Sequence, residues 1–286
     1  MTGFTMKIPQ TLPSYDSLAG AIGIGASNSN QDSWQRILDA FREIRALSED
    51  VTLSIYAAEG LLDPDALPTG LSLKIGKTPE KQALNDLKSG VLKGLIRGSI
   101  PSAEFLAATK MEFNATSLFR IALLESTSGH EFWFAPVGID EGDTFEDRVQ
   151  FVEYAIDLLG QCGVVPNVGI LSKGREGDAG RGDFIKDSLA MGRELVAQLA
   201  SNFPSAQIEH DEILIENADW KGRNFVLAPD GVTGNLIYRT LVFLGGGRAY
   251  GAKYFGRGLE GYTIIDTSRV ANLEEICGAM LLALVL

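Results

Sequence analysis

The stretch Phe225–Gly247, FVLAPDGVTGNLIYRTLVFLGGG, constrains the fold more than any other part of the chain. Its first residues, Phe225 to Ala228, form an apolar run of the length of a buried strand. A turn carrying Asp230, Gly231 and Gly234 follows. Apolar residues then recur at helical spacing (Leu236, Ile237, Leu241, Val242, Leu244) and stop at three glycines. A strand that ends in such a turn and opens a helix is suited to hold an anion. The first N–H groups of the helix lack intrahelical partners, and its dipole favours negative charge. Thr233 is the candidate N-cap, and Gly231, Gly234 and Asn235 are candidate ligand contacts. Any tight strand-to-helix turn draws on the same residue types, so the motif alone names no reaction. Asp230 can orient a ligand, act as a base or simply bond its own backbone.

Elsewhere short apolar runs alternate with amphipathic helices. Strands are expected at 19–25, 51–56, 71–75 and 94–97, with helices at 34–44, 79–87 and 102–113. Asp32 or Ser33 is the candidate cap of the first helix, after a polar loop at 25–30. From Ser117 the rhythm changes to two strands in tight connection (118–124 and 131–136), a helix over 144–159, a strand at 168–171, and a long helix to Leu199. A short strand near Ile208, a helix over 211–216, the Phe225 motif, strands at 250–255 and 262–265 and a terminal helix complete the order. This pattern predicts helices wrapped around a largely parallel sheet. Two α/β lobes are expected, 1–116 with 261–286 and 117–260, with a ligand cleft between them.

Composition narrows the function. A formal net charge of −12 over 286 residues argues against nucleic-acid and anionic-membrane partners. Against that background, arginines stand beside glycines at Arg97-Gly98, Gly174-Arg175, Arg181-Gly182, Gly247-Arg248 and Arg257-Gly258, a setting suited to carboxylate or phosphate. Two cysteines and two histidines, without metal-ligand spacing, fit a reducing cytoplasm and no zinc site. No signal peptide is visible, and the apolar run 276–286 is too short to span a bilayer; it reads as a buried helix or a subunit contact.

The loop 172–183, SKGREGDAGRGD, packs Lys173, Arg175, Asp178, Arg181 and Asp183 between glycines directly after a strand. It reads as an anion clamp or lid, against the alternative of a solvated loop with local ion pairs. The segment 265–275 joins the last strand to the last helix. Asn272 and Glu275 stand at capping-box spacing, and Ser268 and Arg269 are candidates to face an anion. Gly23-Ile-Gly25, with Glu59 as ribose ligand, is a weak nucleotide signature because the third glycine is missing. No nucleophile elbow, phosphate-loop lysine or histidine-based triad is present.

Residues 227–246 resemble the P-D-x-x-(S/A)-G-N-I-x-Y-K segment of phosphate acetyl- and butyryltransferases. Gly98 to Leu106 is similar to their G-x-x-x-T-x-x-x-L stretch, Ala135 to Leu171 to their turn, helix and strand, and Asp266 to Arg269 to their terminal S-R motif. The resemblance implies a two-lobed three-layer α/β/α fold of the isocitrate-dehydrogenase-like type and a homodimer. It also implies that Ser268 and Arg269 contact the phosphate or coenzyme A side and stabilise developing negative charge, and that Asp230, Gly231, Gly234 and Asn235 line the floor. The candidate catalytic residues are thus Ser268, Arg269 and Asp230, and the candidate anion site comprises Arg97, Ser99, Gly231, Thr233, Gly234, Asn235 and Thr267 and, from the loop, Lys173, Arg175, Asp178 and Arg181. Two departures stand out. Ala107 occupies the place of a family arginine, and the loop 174–181 is foreign to the acyltransferase pattern. With Ile96–Ser99 and Asp230–Asn235, that loop is similar instead to the archaeal branch called methanogenesis marker protein 4, nominally a methyltransferase subunit X. That likeness implies a cytoplasmic protein of methanogenesis with methyltransferase-complex partners. The sequence itself holds no corrinoid motif, zinc-thiolate set or S-adenosylmethionine loop, and it names no cofactor. Acyl transfer from an acyl phosphate to coenzyme A and non-catalytic ligand binding remain as alternatives.

Overall fold

The computed structural model describes residues 8–12, 18–27, 31–58 and 67–286; the polar loop at 28–30, Glu59 and the Asp32 side chain lie outside the described residues. Two units divide the chain, residues 1–118 with 250–286 and residues 119–249. In the first, β1 (Gly20–Ala26), β2 (Val51–Ala57), β3 (Leu71–Ile75), β4 (Gly94–Ile96), β10 (Arg248–Phe255) and β11 (Thr263–Asp266) lie in the order β3-β2-β1-β4-β11-β10. All are parallel except β10, which runs antiparallel to β11.

Helices cover both faces of this sheet, so its central strands carry buried apolar residues on both sides. The helices α1 (Gln31–Leu47) and α8 (Leu273–Val285) pack on each other, as do α2 (Pro79–Lys88) and α3 (Ser102–Phe113). Strand β4 shows how the pleat separates the two pairs. Gly94 meets α8 so closely that a Cβ there would lie 2.2 Å from the Ala283 carbonyl oxygen. The next residue, Leu95, points the other way, into a cluster with Leu84, Leu87 and Phe105 of α2 and α3. Helix α8 is buried from Glu275 to Leu284, which makes the apolar terminal run a core helix.

In the second unit, β5 (Phe119–Glu125), β6 (Glu131–Ala135), β7 (Asn167–Leu171), β8 (Gln207–Glu212) and β9 (Phe225–Leu227) lie in the order β5-β6-β9-β7-β8. The β5–β6 pair is the antiparallel hairpin expected from the sequence, and the rest are parallel. Its helices are α4 (Phe145–Gln161), α5 (Asp183–Asn202), the single turn α6 (Asn217–Trp220) and α7 (Gly231–Phe243). Thr144 starts α4 with a reciprocal cap: its hydroxyl accepts from the Asp147 N–H at 3.1 Å, and Asp147 accepts from the Thr144 N–H.

The helix expected over 211–216 does not form. Asp211 and Glu212 end β8, and the helical turn starts at Asn217. The cause is a buried charge network. Arg223 Nε donates to Asp211 Oδ2 at 2.8 Å, Arg223 Nη1 to Asn167 Oδ1 at 2.6 Å, and Lys221 Nζ and Asn217 Nδ2 to Asp211 Oδ1 at 2.8 and 3.0 Å. Pulling Asp211 inward to these donors keeps the strand going through it. Arg223 and Asp211 side chains are 2% and 1% exposed, whereas Lys221 is 40% exposed. Arg223→Ala, which strands the Asp211 carboxylate inside, is therefore expected to cost about 3–5 kcal/mol in urea unfolding. Lys221→Ala, which removes an exposed partner that Arg223 backs up, is expected to cost under about 1 kcal/mol. Equal losses would contradict this division of labour.

Candidate functional site

In the first unit the sequence candidates gather where β1, β4 and β11 end. Arg97 is buried, and its guanidinium donates to the Asp266 carboxylate, the Thr267 carbonyl oxygen and, at 2.6 Å, the Ile100 carbonyl oxygen. Its donors are thus committed to pinning the ends of β4 and β11 together, which corrects its reading as a direct anion contact. Ser99 Oγ accepts from the Ser27 N–H at 2.8 Å, and Thr267 is buried against the Gly98 carbonyl. The glycines here serve close approach. Gly98 adopts φ +60°, and a Cβ on it would lie 2.0 Å from the Gly25 carbonyl oxygen, while a Cβ on Gly25 would lie 2.5 Å from the Arg97 carbonyl oxygen, so close packing accounts for both glycines.

Asn272 caps α8 by accepting from the Glu275 N–H at 2.9 Å. The Glu275 carboxylate, instead of closing a capping box, accepts from the Ser268 N–H at 2.5 Å. Ser268 Oγ accepts from Val270 N–H at 3.3 Å. Arg269 is exposed and forms no ion pair among the described residues. The recess beside these residues, about 10 Å³, is the size of one water, so it is a dimple and not a substrate chamber.

In the second unit a denser constellation forms at the ends of β6, β7 and β9. Asp230, not Thr233, caps α7: its Oδ1 accepts from the Thr233 N–H at 2.7 Å. A capping side chain must come before the helix, and Thr233 lies within its first turn. Lys173 Nζ reaches Asp230 Oδ2 at 3.0 Å. Burial alone would raise the Asp230 carboxyl, but the Thr233 N–H and the Lys173 ammonium outweigh it and hold it below the usual carboxylate range. The N–H groups of Gly231 and Val232, the first two of α7, have no partner among the described residues. Asn235 Nδ2 donates to the Val137 carbonyl oxygen at 2.8 Å, tying α7 to the turn after β6. Gly231 and Gly234 permit that approach, since a Cβ on either would sit 2.0 Å from the carbonyl oxygens of Gly138 and Pro136.

The loop 172–183 is an ordered feature of this unit. It contains a 3-10 turn over Glu176–Arg181 packed on α5. Asp178 accepts from the Arg175 N–H at 3.0 Å and pairs with Arg181 at 3.1 Å, and Glu176 pairs with Arg193 at 2.7 Å. Asp178 and Arg181, read from the sequence as ligand contacts, thus pair with each other at the surface of the loop. The Arg175 guanidinium is exposed and unpaired among the described residues. Beneath the loop, Ser172 Oγ and His210 Nε2 lie 2.6 Å apart. Burial pushes the His210 pKa down, although Glu176 opposes it.

Sequence reasoning missed Arg148. It lies on the apolar face of α4, is buried, and donates from Nε to the Gly142 carbonyl oxygen at 2.9 Å and from Nη1 to Met191 Sδ at 2.6 Å. No carboxylate pairs with it within 4.0 Å among the described residues, and burial lowers its pKa while Asp230, Asp143 and Asp147 act against that shift. An arginine in the stripe Phe145, Val149, Val152 was the available signal. The same turn is held by Arg120 Nε on Glu141 Oε1 at 2.5 Å and by the Gly138 N–H on Glu141 Oε2 at 3.1 Å. Among the described residues no group of three His, Cys, Asp or Glu side chains is placed to hold a metal ion. No helix among them is long and apolar enough to cross a membrane.

Comparison with known proteins supplies relatives. A Methanosarcina mazei protein named "Putative methyltransferase mtx subunit X" is 38% identical over 208 residues, 73% of this chain and 72% of that protein. The chain belongs to this methanogen family. A second member, an uncharacterized methyltransferase of Methanopyrus kandleri, is 32% identical over 266 residues and covers 92% of this chain and 97% of its own. No family-level sequence model matches the chain. Among solved structures, a branched-chain phosphotransacylase from Enterococcus faecalis superposes with a TM-score of 0.70 at 16% identity, over 92% of this chain and 98% of that one. This confirms the α/β fold of phosphotransacylase type. At that identity it speaks for the fold alone.

The Asp230 cap gives a pH-dependent test. Asp230→Ala is expected to cost about 1–2 kcal/mol at pH 7. Because the folded-state pKa is depressed, the ionised contribution is present above the unfolded value of about 3.9 and is lost as pH falls through the folded one. The gap between the unfolding of variant and parent should therefore begin to narrow as pH falls below about 4 and close only below the depressed folded-state value. A gap unchanged at lower pH would contradict the role.

Proposed function

We propose that this chain is a group-transfer protein of methanogens, nominally transferring a methyl group, that binds an anionic small molecule at the α7 N-terminus. The observation that carries the reading is the meeting there of Lys173, the capped Asp230 and two unpartnered backbone N–H groups. Arg148, buried without a carboxylate partner among the described residues, adds positive potential beside them. In a net-acidic protein such a focus of positive potential selects phosphate or carboxylate groups. Gly231, Val232 and Lys173 would hold the anion. Asp230 would orient Lys173 and serve as the candidate base. Thr233, Gly234 and Asn235 keep the helix end in place. In the first unit, Arg269, with Ser268 and Thr267 beside it and Ser99 and Arg97 supporting them, would form a separate anion contact able to stabilise negative charge. Arg175 would act as a second exposed cation. The name of the relatives, a subunit, supports action within a methyltransferase complex.

A second reading, phosphate acyl transfer between an acyl phosphate and coenzyme A, is favoured by the fold likeness and by the Ser268-Arg269 pair. Ala107, exposed on α3 where the resemblance expects an arginine, weighs against it. An exchange assay of acetyl and butyryl phosphate with coenzyme A separates the two.

The primary reading is tested by thermal shift with inorganic phosphate, acyl phosphates, coenzyme A and S-adenosylmethionine. A ligand of the folded state at a hundredfold excess over its Kd should raise the Tm by roughly 5 °C. Lys173→Ala should reduce that rise. No response from the parent to any anion, or unchanged binding by Lys173→Ala, would overturn the assignment.

A further inference from the structure

Under the loop 172–183 lies a polar cluster that no direct anion contact explains. Ser172 follows β7, His210 lies on β8, and Glu176 belongs to the 3-10 turn of the loop. The Ser172 N–H donates to the Glu212 carbonyl oxygen at 2.5 Å. Its Oγ lies 3.1 Å from the Ser188 carbonyl oxygen of α5 and 2.6 Å from His210 Nε2. Ser172 is buried, and the His210 side chain is 12% exposed. Helix α5 comes this close only because residue 192 is glycine: a Cβ there would lie 2.5 Å from His210 Nε2 and 2.6 Å from Ser172 Oγ. On the other side of the ring, Nδ1 stands 3.9 Å from Glu176 Oε1, beyond hydrogen-bond reach.

This cluster is one proton short. The contacts Ser172–Ser188, Ser172–His210 and His210–Glu176 each need a hydrogen, and the serine hydroxyl and a neutral imidazole supply one apiece. If the hydroxyl turns to Ser188, Nε2 must donate, and Nδ1 then presents a lone pair to the Glu176 carboxylate. If the hydroxyl turns to Nε2 instead, the bond to Ser188 is lost. A protonated ring brings the missing hydrogen, and all the contacts can form together. At neutral pH the proton is absent, because burial holds the His210 pKa below the ordinary histidine value. The charged groups facing the ring are Glu176 of the loop and Glu212 and Asp211 of β8, which favour the proton, and Arg193 of α5, which opposes it. Asp211 is already held by Arg223 and Lys221, and Arg193 by Glu176. The approach of Glu176 to Nδ1 is therefore the contact that a ring proton changes most.

We propose that His210 is the proton sensor of the anion site: uptake of one proton by its ring draws in Glu176, closes the bracket from Ser172 to the 3-10 turn, and strengthens anion binding at the start of α7. The inference rests on the assignment of the anion to Lys173 and the first turn of α7. Lys173 is the next residue after Ser172. Its N–H donates to Ser188 Oγ at 3.1 Å, and its ammonium reaches Asp230 at 3.0 Å. The residue that His210 fixes and the residue that meets the anion are thus neighbours in the chain, both fastened to Ser188. Protonation acts in two ways. It ties down both ends of the segment 172–176, which carries Lys173 and Arg175, so a ligand meets a smaller ordering cost. It also places one more positive charge beneath the loop of a chain whose net charge is −12. By linkage, a bound anion raises the affinity of His210 for its proton by the same factor. The site holds its anion more firmly as pH falls below about 6.5 and releases it as pH rises.

The test is sulfate binding to the full chain by calorimetry at constant ionic strength over about pH 5 to 8, where histidine titrates and sulfate keeps its charge. Affinity should fall about tenfold from the acid end to the neutral end. His210→Gln, whose amide still donates to Ser172 but takes up no proton, should bind with an affinity that does not vary with pH. Glu176→Gln, which removes a carboxylate that favours the ring proton, should move the change to lower pH. The chain has two histidines, so the His210 ring can also be followed by NMR in the parent, with His130→Gln identifying its signal. Saturating sulfate should raise its titration midpoint by about one pH unit. Sulfate affinity that is level across the range, a His210 midpoint that sulfate leaves in place, or a His210→Gln variant with the parent's pH dependence would overturn the sensor and leave the anion site standing. Sulfate bound at no pH, or bound equally well by Lys173→Ala, would remove the anion site and the sensor with it.

Discussion

The seating of α7 on the turn after β6 is the constraint on which the second unit depends. Gly231 and Gly234 bring the helix backbone to within contact of the Gly138 and Pro136 carbonyls, and Asn235 fastens it to Val137. No residue with a Cβ fits either glycine position without moving backbone. The turn cannot yield easily, because Glu141 holds the Gly138 N–H and is itself held by Arg120. Burial raises the Glu141 carboxyl above its usual range even against these partners. The result is a rigid platform that aims the start of α7, with Asp230 and Lys173, at one point.

Two properties follow from that single packing arrangement. Because the contact is made by glycines, the first turn of the helix lies close to Lys173, and its unpartnered N–H groups become available to an anion. The same contact spends the side of α7 that has no side chains, so its apolar residues face the other way. The ligand site is at the N-terminal end of the helix and the exposed surface runs along its side, so the two can be tested separately. The first unit works on the same pattern with different parts. Gly25 and Gly98 bring two strand ends together, and Arg97 locks β4 to β11, which leaves Arg269 exposed at the edge.

Much of this was legible in the sequence. The alternation of apolar runs and helices located the strands of the described residues to within a few residues, because most of them are buried on both faces and need unbroken apolar residues. The strand-turn-helix at 225–243 was clear for the same reason. What misled were polar residues whose partners lie far along the chain. Asp211 reads as a helix start in sequence, but Arg223 draws it into a strand end. Thr233 reads as a cap, but Asp230 lies in the required position. Arg97 beside a glycine reads as an anion ligand, yet Asp266, 169 residues away, already occupies it. Local patterning fixes elements; it does not say which of two plausible partners a charged group will find. Arg148 was hidden by the opposite error, because a charge on an apolar helix face is easily passed over.

The central claim is that the α7 N-terminus and Lys173 together hold an anion. The most direct measurement is the location of a heavy tetrahedral oxyanion, such as tungstate, by anomalous scattering in crystals of the full chain. The account predicts a peak within hydrogen-bond reach of the Gly231 and Val232 N–H groups and of Lys173 Nζ, weakened or absent in Lys173→Ala. A peak elsewhere with this position empty at saturating oxyanion would contradict it.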